Sequence, residues 1–348
     1  MDAAFRQGGP LSSSHCGGMT EVRHADHSFR LNHEERRTPY HHLALPGRYT
    51  ASMLPRINAG VSDVAIAGAG PVAQALGRAL QECGIGVGCI ASRNLNHAKA
   101  AAVFIGGGAL AIPYCDIPLH ASHVLVAVSD RAIAPVAEEL AKGNGRLRVA
   151  LHTCGSYGPE ALAALNAVGV SCGGIHPLQT IRDASQGTAA LRSAAFAVFG
   201  DSQALSWAEE IATALGGHVL HIRPDARHLY HAAAVMASNY IAALMDSAEQ
   251  LMLLAGVPKE DALRALAPLA RTSIDNVVHC GAVEALTGPV MRGDAATVTE
   301  HVRAMERAEP SIAELYKVAG LHALRMARRR GLGDEEAESV HRALLGRR

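Results

Sequence analysis

A glycine-rich turn between an apolar segment and a helical one most constrains how this sequence can fold. Residues 64–67 form a short apolar run, and residues 68–73 follow it with the pattern G-x-G-x-x-A. In such a turn Gly68 permits the tight bend, Gly70 lets the backbone approach a pyrophosphate, and Ala73 allows close packing of the helix, whose N-terminus attracts the anion. The pattern predicts the phosphate-binding turn of a dinucleotide site. Its predicted contacts are Gly68, Ala69, Gly70, Pro71 and Val72.

The end of the second predicted strand distinguishes between two dinucleotides. Residues 87–91 predict this strand, and Ser92, Arg93 and Asn94 follow it without an acidic residue. An NAD site usually carries Asp or Glu here to bind the ribose 2′-hydroxyl. Arginine instead offers a planar fork for a 2′-phosphate. An ordinary charged turn is the alternative, but we predict NADP as the cofactor, with Ser92 and Arg93 at its 2′-phosphate.

Short apolar runs alternate with helical patterns from Val64 to about Phe199, which is typical of βαβ units and a parallel sheet. Beyond Asp201 the pattern is helical almost throughout. The sequence therefore predicts an α/β fold, a doubly wound parallel sheet that binds a dinucleotide, followed by an all-α C-terminal domain. We expect the sheet to end near Phe199. One helix from Ala226 to Ala255 is apolar on most faces, as expected at the buried centre of a bundle or dimer.

The 348 residues correspond to about two domains flanked by less regular segments. The first 58 residues mix Arg, His, Ser and Gly without a helical or strand period, so they are not expected to bury enough apolar surface to fold. We predict a disordered N-terminal extension at residues 1–58, an NADP-binding Rossmann-like domain at 59–200, an all-helical domain for substrate binding and dimerisation at 201–330, and a tail or short helix at 331–348.

Composition argues against several classes of partner. Lys plus Arg and Asp plus Glu each number 32, so net charge gives no reason to expect nucleic acid. The seven cysteines include no Cys-x-x-Cys pair, which argues against a disulfide framework and a zinc site, and we expect no metal. No apolar run approaches the ~18 residues of a membrane span, and residues 1–30 lack the apolar region of a signal peptide. We expect a cytoplasmic protein that binds a small molecule and forms a homodimer through its helical domain.

Two strand ends carry candidate site residues. Val128, Ser129 and Asp130 follow the fourth strand of the expected sheet, where open α/β sheets bind ligands, so we predict that they border the nicotinamide. His176 ends a later strand and is followed by Pro177, which cannot continue a ladder. A histidine there can donate the proton that accompanies hydride transfer, or it can be a structural residue bonded to a loop carbonyl.

The helical region adds polar candidates. His231, Ser238 and Asn239 share one face of an otherwise apolar helix, so they need partners, which could be substrate, cofactor or a neighbouring helix. Arg292 lies in a loop and could bind a substrate carboxylate or the cofactor, or it could pair with Asp294, which we expect to cap the next helix. The candidate catalytic residues are His176, His231 and Asn239, and the candidate substrate-binding residues are Ser238 and Arg292.

With these residues in view, the chain resembles proteins in which a Rossmann-like domain is joined to the domain of unknown function 2520, within the superfamily whose C-terminal domains resemble that of 6-phosphogluconate dehydrogenase. The resemblance implies an NADP-linked oxidoreductase-like protein and no particular substrate. Its landmarks are Gly68-Ala69-Gly70, Ser92-Arg93, residues 128–130, 152–155 and 176–180, Tyr230-His231, and residues 238–240 and 286–294.

More distant similarities narrow the chemistry. The layout is similar to that of pyrroline-5-carboxylate reductase, ketopantoate reductase, deazaflavin-dependent NADP oxidoreductases and prephenate dehydrogenase. Ketopantoate reductases use a helix lysine, whereas this chain has no lysine between Lys142 and Lys259. Prephenate dehydrogenases have a His-Pro motif to which His176-Pro177 is similar, which favours a histidine-assisted reaction.

These observations together predict an NADPH-dependent oxidoreductase that transfers a hydride to or from a small carbonyl, imine or hydroxyl compound between the two domains. His176 or His231 would donate the proton, Ser238 and Asn239 would orient the substrate, and Arg292 would bind an acidic group on it. The alternative is a non-catalytic NADP-binding sensor or regulatory protein, because the sequence contains no recognisable acid and base pair.

Overall fold

The first part of the chain consists of short strands that alternate with helices. The computed structural model describes residues 63–346, and the extension predicted at residues 1–58 lies outside the described residues. The strands are β1 (Val64–Ala67), β2 (Val87–Ala91), β3 (Leu110–Ile112), β4 (His123–Val126), β5 (Val149–His152), β6 (Ser171–Pro177), β7 (Ala195–Gly200) and β8 (His218–His221). The helices among them are α1 (Pro71–Glu82), α2 (Leu95–Ile105), α3 (Ile117–His120), α4 (Ile133–Ala141), α5 (Ala163–Asn166), α6 (Ala184–Leu191) and α7 (Ser202–Ala214).

The eight strands form a single sheet in the order β3-β2-β1-β4-β5-β6-β7-β8. Strands β1 to β6 run parallel in the arrangement of a doubly wound dinucleotide-binding fold, β7 is antiparallel to β6, and β8 is parallel to β7. The strand order reverses between β1 and β4, which opens a crevice at their carboxyl ends. The predicted fold class is confirmed, and the crevice is where the sequence places the cofactor.

Apolar layers cover both faces of the sheet. Successive residues of β1 point to opposite sides, so Ile66 joins Leu76 of α1 in one buried layer and Ala65 joins Leu140 of α4 in the other. These side chains have no exposed surface. The sheet half of the chain thus completes its core without help from the C-terminal helices.

The sheet extends further along the chain than predicted. The expectation that it ends near Phe199 is wrong, because β8 adds an eighth strand and α7 packs on β6 and β7. Strand β8 reads His218-Val219-Leu220-His221 and lies partly exposed at the edge of the sheet, so it lacks the apolar run of a central strand. Strand β3 was not predicted either, because it is only three residues long and partly exposed.

The C-terminal part is helical. Its helices are α8 (Arg227–Ala237), α9 (Asn239–Leu254), α10 (Lys259–Cys280), α11 (Ala282–Ala285), α12 (Ala295–Ala308), α13 (Pro310–Arg329) and α14 (Asp334–Leu344). The single helix predicted from Ala226 to Ala255 is wrong, because the helix breaks at Ser238, where φ is −130° and ψ is −69°. The Ser238 hydroxyl donates to the Ala234 carbonyl, and such side-chain bonds compete with the helix backbone. Residues 331–348, predicted as a tail or short helix, contain α14.

The C-terminal helices differ in how well they are packed. Helices α12, α13 and α14 share a small core that includes Val298, Leu324 and Val340. Helices α8, α9 and α10, which we call the helical arm, bury almost nothing: Ala262 is the single buried residue among them. The prediction of a buried central helix is therefore not met within one chain. Among the described residues, no helix is both long and apolar enough to cross a membrane.

Candidate active site

A cavity of about 530 Å³ lies at the carboxyl ends of β1, β2 and β4, where the strand order reverses. His176, at the end of β6, also borders it. In addition, it is lined by all the residues that the sequence predicted for the cofactor, which are Gly68, Ala69, Gly70, Pro71, Val72, Ser92, Arg93, Val128, Ser129 and Asp130.

The glycine-rich turn has the geometry that a pyrophosphate requires. Gly68 has a φ of +128°, and a Cβ there would collide with the Ala127 carbonyl oxygen, so only glycine fits. Gly70 caps α1 without a side-chain hydrogen bond, and a Cβ there would meet no atom within 4 Å. The space that such a Cβ would fill lies beside the free backbone N–H groups of the first turn of α1. The residues present therefore fit the cofactor.

The part of the cavity at the end of β2 is basic. Arg93 and Ser92 line it, and His97 joins them from the first turn of α2. Tyr114 borders the same end, and burial raises the pKa of its hydroxyl. Within the described part of the chain, Asp130 is the sole carboxylate lining the cavity, and no acidic side chain lines it at the end of β2. Sequence reasoning missed His97 and Tyr114, although the position of His97 four residues after Arg93, at the start of a helix, could have indicated it.

His176 lies against α8 at the edge of the cavity. Its Nδ1 is 2.7 Å from the Tyr230 hydroxyl, and its ring meets the His231 ring edge-on, with centroids 6.0 Å apart. Burial lowers the pKa of His176 to about 4 and raises that of Tyr230 to about 12. Both groups are therefore neutral at physiological pH. Sequence reasoning gave Tyr230 no role, because nothing in a helical pattern distinguishes a tyrosine that faces a strand end.

Gly155, in the loop after β5, supports the His176 ring. A Cβ on Gly155 would stand 2.8 Å from Cε1 of His176 and 2.9 Å from each ring nitrogen. The absence of a side chain at this position thus lets the imidazole lie against the backbone. Gly155 directly follows the polar segment at the end of β5, which was the available signal for it.

Two further polar residues lie on the segments next to His176 and Tyr230: His152 on β5 and Arg227 on α8. His152 is fully buried, donates from Nε2 to the Gly158 carbonyl at 2.9 Å and accepts from the Cys154 N–H at 3.2 Å, and burial lowers its pKa. At the start of α8, the Arg227 guanidinium lies 4.9 Å from the Phe199 ring centroid. The hydrogen bonds identify His152 as a structural residue, with both nitrogens occupied.

The remaining candidates lie apart from the cavity. Nδ1 of His231 is buried without a hydrogen-bond partner among the described residues. Ser238 and Asn239 bond to each other at the junction of α8 and α9, at 2.9 Å, and neither borders the cavity. Arg292 is exposed and does not border it either. Asp294 caps α12 as expected, accepting from the Thr297 N–H at 3.0 Å.

The described residues contain no group of His, Cys, Asp or Glu side chains placed to hold a metal ion. The cysteines within this part of the chain are free thiols.

Two family models match the chain. Residues 63–149 match the family described as NADP oxidoreductase coenzyme F420-dependent. Residues 194–323 match the domain of unknown function 2520. The predicted resemblance is confirmed. NADP, predicted from Ser92 and Arg93, agrees with the description of the first family.

Solved structures share this architecture. Protein TM1727 from Thermotoga maritima is 26% identical, with a TM-score of 0.61, and the alignment covers 77% of this chain and 99% of that protein. A Bacteroides fragilis protein assigned as an NADP oxidoreductase, BF3122, is 20% identical, with a TM-score of 0.62 and coverage of 81% and 98%. A reductive aminase from Aspergillus terreus, in complex with NADPH and ethyl-5-oxohexanoate, is 15% identical, with a TM-score of 0.51 and coverage of 82% and 93%. No curated protein matches the sequence.

Proposed function

We propose that the protein is an NADPH-dependent oxidoreductase that acts on a small carbonyl, imine or hydroxyl compound between the sheet and the helical arm. The observation that carries this proposal is the position of His176. It borders the cofactor cavity and is bonded to Tyr230 of α8, so a group able to exchange a proton lies where the two parts of the chain meet. Bound NADPH would supply the hydride, and the chain's own residues would bind the substrate and handle the proton.

The choice of NADPH rests on the basic end of the cavity. Arg93 offers a planar guanidinium and Ser92 a hydroxyl where an NAD site would carry an acid. The reductive aminase with the same fold contains NADPH in its crystals. The description of the matched family also names coenzyme F420. The match covers residues 63–149, so it concerns the dinucleotide-binding part of the chain.

The individual roles remain predictions. His176 or His231 would donate the proton, Asn239 and Ser238 would orient the substrate, and Arg292 would bind an acidic group. Ser238, Asn239 and Arg292 do not border the cavity within one chain, so their roles require contacts that one chain alone does not make. We expect the protein to act in the cytoplasm on a small molecule.

We also propose a homodimer formed through the helical arm. Large apolar side chains that one chain leaves in contact with solvent support it: Leu229, Met236, Leu244, Leu269, Ile274 and Val278. Monomeric proteins rarely expose an apolar surface of this extent. A second copy would cover the arm of the first with an equivalent surface, as two-fold symmetry requires.

A non-catalytic NADP sensor is the second candidate. The observation that favours it is the neutral state of His176, whose burial lowers its pKa to about 4, so the site has no imidazolium to act as an acid at neutral pH.

A cofactor-oxidation assay separates these candidates. NADPH consumption is measured against sets of aldehydes, ketones, ketone and amine mixtures and cyclic imines, beside the dissociation constant for NADPH. Steady turnover with any compound excludes the sensor. Tight NADPH binding with no turnover across all sets favours the sensor, and absence of NADPH binding contradicts both.

A further inference from the structure

The hydrogen bond between His176 and Tyr230 determines which imidazole nitrogen remains available. The Tyr230 hydroxyl lies 2.7 Å from Nδ1, and the two rings meet edge-on with centroids 5.7 Å apart. Nε2 of His176 has no hydrogen-bond partner among the described residues. Among these residues, the one side-chain nitrogen or oxygen that is both buried and without a partner is Nδ1 of His231, so Nε2 of His176 is accessible. Nε2 is therefore the nitrogen of His176 that remains free to bond a ligand, and His176 borders the cavity.

The surroundings of His176 keep it uncharged. The ring is buried, and the titratable groups facing it are Tyr230 and His231 from α8, His152 from β5, and Asp130 after β4. Burial and the neighbouring His231 lower the pKa of His176 to about 4, against a weaker opposite effect of Asp130. A neutral imidazole carries one N–H and one bare nitrogen, so the bond at Nδ1 decides whether Nε2 can donate.

We propose that the Tyr230 hydroxyl donates to Nδ1, holds neutral His176 with its proton on Nε2, and relays a proton through the ring, so that Nε2–H is the donor to the oxygen of a carbonyl substrate. This inference rests on the proposed function. It selects His176 over His231 and gives Tyr230 a positioning role that acts through His176.

The proton and electron balance of this step is complete. The hydride that bound NADPH would supply would bond to the carbonyl carbon, and the π electron pair of the C=O bond would move onto the oxygen. That oxygen takes the proton of His176 Nε2, while Nδ1 takes the proton of the Tyr230 hydroxyl. The imidazole ends neutral, with its proton on Nδ1. Nδ1 then returns this proton to the Tyr230 phenolate while Nε2 takes a proton from solvent, which restores the Nε2–H tautomer. Without Tyr230, the same donation would leave an imidazolate anion in the buried site, and imidazolate is a much stronger base than the phenolate that the relay leaves.

Gly155 makes the arrangement rigid. Because a Cβ at Gly155 would stand within 2.9 Å of three ring atoms, the imidazole rests directly on the backbone on one side. The hydrogen bond to Tyr230 holds its Nδ1 edge. The ring therefore has little freedom to rotate.

The chain contains a matched control for this pair. In the helical region, Nδ1 of His301 lies 2.9 Å from the Tyr316 hydroxyl, with ring centroids 5.9 Å apart and nearly perpendicular planes. Neither residue lines the cofactor cavity. Tyr316→Phe removes the same chemical group from the same type of partner, away from the proposed reaction.

The test uses the full chain with NADPH bound, in three variants. Histidines labelled with ¹⁵N are observed by NMR, with His176 assigned through His176→Asn. In the wild type, His176 is expected in the Nε2–H tautomer from pH 5 to pH 8. Tyr230→Phe is expected to change the His176 signals towards mixed tautomers, and Tyr316→Phe is expected to leave them unchanged.

With the compound best reduced in the oxidation assay, Tyr230→Phe is expected to lower kcat at least ~10-fold and His176→Asn by ~10² to 10⁴-fold, with NADPH affinity kept.

The outcomes separate this inference from the proposed function. Wild-type turnover that Tyr230→Phe leaves unchanged overturns the relay and leaves the oxidoreductase intact. A wild-type His176 that carries its proton on Nδ1, or is charged at pH 7, overturns the relay as well. Absence of wild-type turnover across the whole panel contradicts the proposed function and the relay together. Melting temperatures of all variants identify any that lose activity by unfolding.

Discussion

The sheet half and the helical arm of this chain both carry many large apolar residues, but they bury them to different extents. Strand β1 and helix α1 lie in a core whose central residues, such as Ile66 and Leu76, have no exposed surface. In the arm, Leu229 and Val278 are 74% and 75% exposed. The comparison teaches that an apolar helix pattern indicates burial without indicating what covers it. Helices of the sheet half cover the apolar faces of the sheet, whereas the large apolar side chains of the arm are exposed in one chain.

The largest effect is expected where the arm would meet a second copy. Ile274 and Val278 lie one turn apart on α10, and both are exposed in one chain. Changing both to Asp should cost roughly 6–12 kcal/mol of association, because two side chains in each of two copies lose their burial and a buried aliphatic side chain contributes about 1.5–3 kcal/mol. Light scattering coupled to size-exclusion chromatography should then find monomers at concentrations where the wild type is dimeric.

Val103→Asp is the matched control for the arm variant. Val103 is 83% exposed on α2 in the sheet half, so a charge there should leave the oligomeric state unchanged. A wild type that is monomeric at tens of micromolar would contradict the proposed dimer, because the apolar side chains of the arm would then be exposed to solvent.

A substitution in the glycine-rich turn tests the stability of the sheet half. Gly68→Ala combines a backbone at φ +128° with a collision at the Ala127 carbonyl, so we expect a loss of roughly 2–5 kcal/mol in the free energy of unfolding. Thermal denaturation measures this loss. Gly70→Ala is the control, because its Cβ meets no neighbour: it should keep the melting temperature while weakening NADPH binding. Equal melting temperatures for wild type and Gly68→Ala would contradict the turn geometry.

The basic end of the cavity allows a sharper test of the cofactor. Arg93→Ala should lose a charge-assisted contact of roughly 1.5–3 kcal/mol, which corresponds to about 10 to 150-fold in NADPH affinity. NADH affinity should change little, because NADH has no 2′-phosphate. Lys99→Ala, on the exposed side of α2, should affect neither cofactor. Similar losses for NADPH and NADH would show that Arg93 contacts another part of the cofactor.

The smallest effect concerns a helix cap in the C-terminal part. Hydrogen bonds from Thr297 lower the pKa of Asp294, so its carboxylate stabilises α12 above the ordinary carboxyl pKa, and this stabilisation is lost as the pH falls through the lowered value. At pH 7, Asp294→Ala should lower the melting temperature by about 2 °C. Asp294→Asn should keep the cap and lose its pH dependence. An unchanged melting temperature for Asp294→Ala would mean that α12 does not limit the stability of the chain.

Much of the cavity lining was accessible from sequence because its parts are local. The turn at Gly68 and Gly70, and the pair Ser92 and Arg93, each follow directly from a strand end, and parallel strands bring such ends together. Tyr114 was missed because its side chain reaches the cavity from a segment whose direction no periodicity reveals, whereas His97 could have been predicted from its position four residues after Arg93. The break at Ser238 was also missed, because a serine inside an apolar helix gives only a weak signal for a break.

The sequence by itself determined the glycine-rich turn and the cap at Asp294, because each depends on a few adjacent residues whose backbone requirements are strong. It also determined the doubly wound class of the sheet, through the alternation of strand and helix patterns. Only the tertiary structure decided that β8 completes the sheet and that His176 lies against Gly155 and Tyr230. The physical reason is separation along the chain. Residues 155, 176 and 230 come together through a strand, a loop and a helix, and no local pattern encodes the packing that joins them.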